Sequence, residues 1–158
     1  MLSCLMSHTS YLSPLTPRNF KNTVARLVEC IKAHFPTATL VMGRGLSGTM
    51  VVPAVAAELG IDWAITRKDK GDNHASYKTE ASAWPGQTRA VFVDDLIDTG
   101  ESFRVTCGGA QEAFTNAMGE PSGSYCFEIL GCAVYLVGWS GSAHARFRGN
   151  EYPIHEIR

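Results

Sequence analysis

Apolar residues fall along this chain in two rhythms, and the change from one to the other sets out its elements. Phe20, Val24, Leu27, Val28, Ile31 and Phe35 recur at helical spacing and form a one-sided stripe. Thr16-Pro17 reads as an N-cap followed by proline at the first helical position, and Pro36 ends the segment. The pattern then shortens. Thr39 to Met42 and Ile61 to Thr66 are apolar runs of the kind that form buried strands. Between them a helix is expected from about Thr49 to Leu59, with Gly60 as its C-cap and Pro53 near its first turn. A third run, Val91-Phe92-Val93, leads into Asp94-Asp95. A helix is expected over Phe103 to Met118, weakened by Gly108-Gly109 but suited to close packing on a sheet. After a break at 119–124, Cys132 to Val137 reads as another buried strand and Tyr152 to Ile157 as an edge strand. Strands alternating with helices predict an α/β fold: a mainly parallel twisted sheet, Rossmann-like, flanked by helices and binding ligands at its carboxyl edge.

The polar stretches left between these runs carry the candidate chemistry. Gly43-Arg44-Gly45-Leu46-Ser47-Gly48 follows the first strand. Its glycines let backbone amides approach a ligand, and Arg44 supplies a fork of donors. Arg67 to Glu80, with the residues up to Gln87, is longer than an economical connection and reads as a binding loop or lid, against the plainer reading of a solvated hairpin. The third strand ends in two carboxylates, which packing alone would not select because an unpaired buried charge is costly. By strand alternation Asp94 and Asp95 are expected to point to different sides. The turn Asp98-Thr99-Gly100-Glu101-Ser102 then offers successive backbone N–H groups and two hydroxyls at a helix start, a cup of phosphate size.

Composition narrows the partners. At 158 residues the chain fits one domain with a real core. A net charge of −1 with mixed signs gives no footprint for nucleic acid or an anionic membrane. No apolar run reaches membrane-spanning length and no signal peptide is read, so the expectation is a soluble, cytoplasmic protein. Cys4, Cys30, Cys107, Cys126 and Cys132 show neither disulfide nor zinc spacing and are read as reduced thiols.

The stretch from Val91 to Ser102, an apolar strand, two acids, two spacers and Asp-Thr-Gly, resembles the phosphoribosyl pyrophosphate (PRPP) motif of the type I phosphoribosyltransferases. The Arg-Gly loop at 44–45 is similar to that of the adenine-type enzymes. Arg67-Lys68 and Ser76-Tyr77 match in order the mobile loop of that family. The resemblance covers about residues 38 to 118. It implies a phosphoribosyltransferase (a pentosyltransferase) that moves the 5-phosphoribosyl group of PRPP to a nucleobase, a purine being expected, and releases pyrophosphate, as in nucleotide salvage. Arg44, Gly45 and Lys68 would meet pyrophosphate, with Lys70 a fallback and Arg67, Ser76 and Tyr77 contributing from the loop. Asp94 and Asp95 would hold the ribose and, indirectly, Mg2+. Asp98 would sit near C1 or the base, and Thr99, Gly100, Glu101 and Ser102 would fix the 5′-phosphate. Glu101 is a departure, standing where many members carry Gly, Lys or Thr. The expected organisation is a single domain over 1–158, with a core at about 16–138 and a small hood drawn from 1–15, a loosely held arm, and 139–158. Trp139 and Tyr152 could stack on a base but read more simply as packing; His144 and His155 read as surface residues. Nucleobase or nucleoside monophosphate would be the other ligand, and a homodimer follows by analogy. Two alternatives stand: a non-catalytic PRPP- or nucleotide-binding regulator on the same fold, and, less favoured, a receiver domain with clustered aspartates.

Overall fold

The computed structural model describes residues 13–68, 78–119, 125–136 and 144–157. Helix α1 (Pro17–His34) opens with the expected proline and buries Val24, Leu27, Val28 and Ile31. Phe35 closes it, donating its backbone N–H to the Ile31 carbonyl at 2.8 Å. The arm before it is held at its end. Leu15 is buried, and the Thr23 hydroxyl donates to the Pro14 carbonyl at 2.9 Å. The expectation of a loose segment through residue 15 is corrected there.

The described strands form one sheet. They are β1 (Leu40–Arg44), β2 (Asp62–Thr66), β3 (Thr79–Ala81), β4 (Gln87–Asp94), β5 (Cys126–Val134), β6 (His144–Phe147) and β7 (Asn150–Glu156), in the order β3-β2-β1-β4-β5-β7-β6. The β2-β1-β4-β5-β7 pairings are parallel, and β3 and β6 add antiparallel edges. Helix α2 (Gly45–Leu59) links β1 to β2, and α3 (Glu101–Met118) follows β4. Alternation along the strands sorts the core into two faces. Val41, Val91, Val93, Ala133 and Tyr135 pack with α1 and α2. Leu40, Met42, Ala90, Phe92, Cys132 and Val134 pack with Phe103, Cys107 and Ala110 of α3. Fully burying a phenylalanine such as Phe92 or Phe103 contributes roughly 1.5–3 kcal/mol.

Several boundaries differ from expectation for local reasons. The stretch 43–48 is no open loop: β1 runs through Arg44, and α2 is entered directly at Gly45, whose φ of +65° turns the chain. Pro53 therefore lies in the interior of α2, not its first turn. Gly43 and Gly48 make that abrupt joint possible, since a Cβ on Gly43 would lie 3.0 Å from the Gly48 Cα and 2.7 Å from Val52 Cγ2. Strand β5 starts at Cys126, well ahead of the expected Cys132. β7 is interior, not an edge: Asn150 to Phe147 and Pro153 to His144 pair it with β6, and Ile154 to Glu156 pair with β5. The pairing changes side at Pro153, which has no N–H to give a ladder. Residues 144–156, expected in the hood, extend the sheet as β6 and β7, and 1–12 and 137–143, including Trp139, lie outside the described residues. The predicted tight packing of α3 is present at Gly109, where a Cβ would come within 2.6 Å of Thr79 Oγ1; Gly108 has open space. No helix among the described residues is long and apolar enough to cross a membrane.

Candidate active site

The parallel strands β1 and β4 are neighbours, but their following helices lead to opposite faces of the sheet. A crevice opens outside their carboxyl ends, as it does wherever strand order reverses in an open α/β sheet. That crevice is a cleft of about 440 Å³ lined by Arg44, Leu46, Ser47, Lys68 and the continuous run Asp94 to Phe103. Residues from three separate stretches of the sequence meet there.

On the β1 side, Arg44 is the last strand residue, and its Nη2 donates to the Lys68 carbonyl at 3.2 Å. The Lys68 side chain crosses Gly45, with Nζ 3.3 Å from where a Cβ would stand. The strand ends of β1 and β2 therefore set two cations side by side. Arg67 is placed elsewhere. Its guanidinium pairs with Glu80 across the β2–β3 hairpin, and it does not line the cleft. β2 and β3 pair as a hairpin at the ends of this loop, while Lys70, Ser76 and Tyr77 lie outside the described residues.

On the β4 side the two aspartates have different surroundings. β4 ends at Asp94, so alternation does not extend to Asp95, and local hydrogen bonds set each side chain instead. Asp94 is 5% exposed. Its Oδ1 accepts the Ser47 hydroxyl at 2.7 Å and the Asp95 backbone N–H at 2.9 Å. Asp95 is half-buried, and its Oδ1 caps the Leu96 N–H at 3.0 Å. Burial, reinforced by neighbouring Asp95, raises the Asp94 pKa to about 7, against the smaller lowering by the Ser47 hydroxyl and the Asp95 amide. Behind them Tyr135 is buried, and its hydroxyl titrates well above the usual phenol range because of burial and then the Asp95 and Asp94 charges.

The turn after β4 is exposed at Asp98 and Thr99 and bends at Gly100, whose φ of +74° favours glycine. The Glu101 N–H donates to Thr99 Oγ1 at 3.3 Å, so the turn is pre-folded onto the start of α3. Phe103 anchors it from below, meeting Phe92 at 5.5 Å and Tyr152 at 5.7 Å between ring centroids. Tyr152 is thus a packing residue, as the plainer reading had it. His144 is exposed, whereas His155 is not a simple surface residue: it stacks on His34 at 3.8 Å and meets the edge of Phe35.

Ser47 was absent from the expected site residues although it completes the cleft; its one sequence signal is a hydroxyl within a glycine-flanked turn. No group of three or more His, Cys, Asp or Glu converges as a metal cage among the described residues. The adjacent carboxyls of Asp94 and Asp95, the first raised in pKa by burial and then by its neighbour, are oxygen donors of the kind that a cation shared with a ligand would fit.

No family model matches the chain. Among curated relatives, the orotate phosphoribosyltransferase of Streptococcus pyogenes serotype M1 is 29% identical over 92 residues, which is 58% of this chain and 44% of that protein. The chain therefore spans less than half the length of the curated relatives it matches. Among solved structures, orotate phosphoribosyltransferase from Aeropyrum pernix matches with a TM-score of 0.58 at 14% identity, covering 90% of this chain and 72% of that one. Adenine phosphoribosyltransferase from Saccharomyces cerevisiae matches with a TM-score of 0.56 at 17% identity, covering 91% and 81%. The shared feature at these identities is the fold.

Proposed function

We propose that this chain, which has the fold of the type I phosphoribosyltransferases, binds PRPP in the cleft at the ends of β1 and β4 and transfers its 5-phosphoribosyl group to a nucleobase. The observation that carries the reading is the meeting of Arg44, Lys68, the Asp94-Asp95 pair and the Thr99–Ser102 turn around one crevice. The purine expectation rested on the Arg-Gly loop. Its relatives and neighbours act on orotate as well as adenine by name, so the proposal extends to either class of base.

In this reading a ring nitrogen of the base forms a bond to C1 of the ribose as the C1–O bond to pyrophosphate breaks. Pyrophosphate leaves with the electron pair, and the base nitrogen gives up its proton. Arg44, the Gly45 amide and Lys68 receive the charge gathering on the leaving group. Asp95 accepts the ribose hydroxyls, with Asp94 held beneath it by Ser47. Asp98, exposed at the cleft mouth, is placed to take the proton. Successive amides of the turn, with the Thr99 and Ser102 hydroxyls, hold the 5′-phosphate and so fix the distance from anchor to reacting carbon. Mg2+, when bound, supplies charge neutralisation on pyrophosphate, and Asp94 and Asp95 are the carboxyls that would hold it through substrate and water.

The test is pyrophosphate release with PRPP and a panel of purines, pyrimidines and orotate. Turnover with one base names the acceptor. A second reading, a PRPP-binding regulator without transfer, takes its support from Glu101, a carboxylate in the turn that lines the cleft; binding without release across the panel selects it. Replacing both Asp94 and Asp95 by Asn should abolish PRPP binding with the fold intact, and unchanged affinity would remove the site. A cytoplasmic location and a homodimer belong to the same proposal and are checked by fractionation and sedimentation.

A further inference from the structure

The turn that receives phosphate in the reading above separates two hollows. Glu101 lines the main cleft, together with Asp94, Asp95 and Asp98. Behind Thr99 and Gly100 lies a second hollow of about 320 Å³ whose walls include Arg104, His144, Arg146 and Glu151. Arg146 is committed to Glu151, with Nε donating to Oε1 at 2.9 Å. Arg104 is committed to the turn itself. Its Nη1 donates to the Thr99 carbonyl at 3.0 Å, and the same nitrogen lies 3.2 Å from where a Gly100 side chain would begin.

Two physical effects follow. A carbonyl facing an anion repels it, and a guanidinium bond draws the Thr99 carbonyl to the far side of the turn. In a trans peptide the next N–H points the opposite way, so the Gly100 amide is turned from Arg104 toward the side on which the cleft lies. The guanidinium also sets a positive charge one helical turn from Glu101, the residue that makes this loop unusual for an anion. We infer that Arg104 is a positioning residue for the phosphate turn, holding its amides toward the ligand and offsetting the Glu101 carboxylate. The inference rests on the proposed binding of a phosphorylated ribose.

A double-substitution cycle read by calorimetry with ribose 5-phosphate tests it. Arg104→Gln should weaken binding about ten-fold in the Glu101 background, and only about two-fold once Glu101 is Gln, because the charge it offsets is gone. Arg104→Lys, which keeps the charge without the fork, should fall between. In turnover, Arg104→Gln should raise the PRPP KM with kcat nearly unchanged. Equal losses in both backgrounds, or no loss, overturn the inference while leaving the binding site standing. Absence of ribose 5-phosphate binding to the unaltered protein overturns the inference together with the reading beneath it.

Discussion

The Ser47 hydroxyl donates to Asp94 Oδ1 at 2.7 Å, joining the first turn of α2 to the last residue of β4 across 47 positions of sequence. Neither residue's role is visible without the other. Asp94 is a buried carboxyl with a like charge beside it, and Ser47 is one of the two groups that ease its ionisation. Ser47→Ala should therefore raise the Asp94 pKa further. The pH at which PRPP binding reaches its plateau should move upward, read from calorimetric titrations across pH 5 to about 9.

Asp94 also gives stability a pH dependence of known sign. Its folded pKa of about 7 stands above the ordinary carboxyl value of 3.8, so the native state binds the proton more tightly than the unfolded chain. That contribution is full below about pH 4 and is lost as pH rises through about 7. Asp94→Asn, which stays neutral, should raise the melting temperature at pH 8 and change it little at pH 5. Paired thermal scans at the two pH values check this, and a larger gain at pH 5 would reverse the sign.

Gly45 should tolerate no side chain. Its φ is +65°, and a Cβ would meet the Lys68 stem. Gly45→Ala should cost about 1–2 kcal/mol of stability in urea titrations from backbone strain alone. It should also push Lys68 aside and weaken pyrophosphate binding.

Lys68 and Arg67 are adjacent in sequence, but Lys68 lines the cleft and Arg67 pairs with Glu80. Lys68→Ala should lower turnover about 100-fold if it meets the leaving group, equivalent to ~3 kcal/mol. Arg67→Ala, which breaks an exposed pair with Glu80, should change turnover less than two-fold and stability by about 0–1 kcal/mol. Steady-state kinetics of the two variants separates them.

The floor of the turn after β4 is aromatic. Phe103 is fully buried against Phe92 and Tyr152. Phe103→Ala should destabilise the protein by about 3–5 kcal/mol, measured by denaturant unfolding.

Where the sequence was informative, a sharp local contrast made it so. Val91 to Val93 running into Asp94-Asp95 marks a strand tip because burial and charge oppose each other there, and the structure opens its cleft at that point. The α1 stripe was legible because one face of a long helix repeats. What escaped depends on partners distant in sequence. β6 carries His144, Arg146 and only two inward apolar residues, so its strand state comes from pairing with β7 and not from its own pattern. β5 was shortened because Glu128 and Gly131 interrupt the apolar run, while β4 supplies the ladder that extends it. The pairing of Arg67 with Glu80 across the hairpin could not be read from the sequence, because it depends on the β2–β3 register. Arg104 lies outside the motif and gains meaning only when a helical turn brings it back onto Thr99.

The joint between Gly43 and Gly48 leaves no slack where β1 meets α2. Backbone seated on backbone, with no side chain between to swing or compress, gives that corner nothing to yield with. In the proposed reading the anchor for the leaving group is therefore a fixed post, and among the described residues adjustment to an incoming ligand falls to the Lys68 side chain and the turn at Thr99. A grip with one rigid jaw registers its ligand from the same edge each time, whichever base arrives opposite.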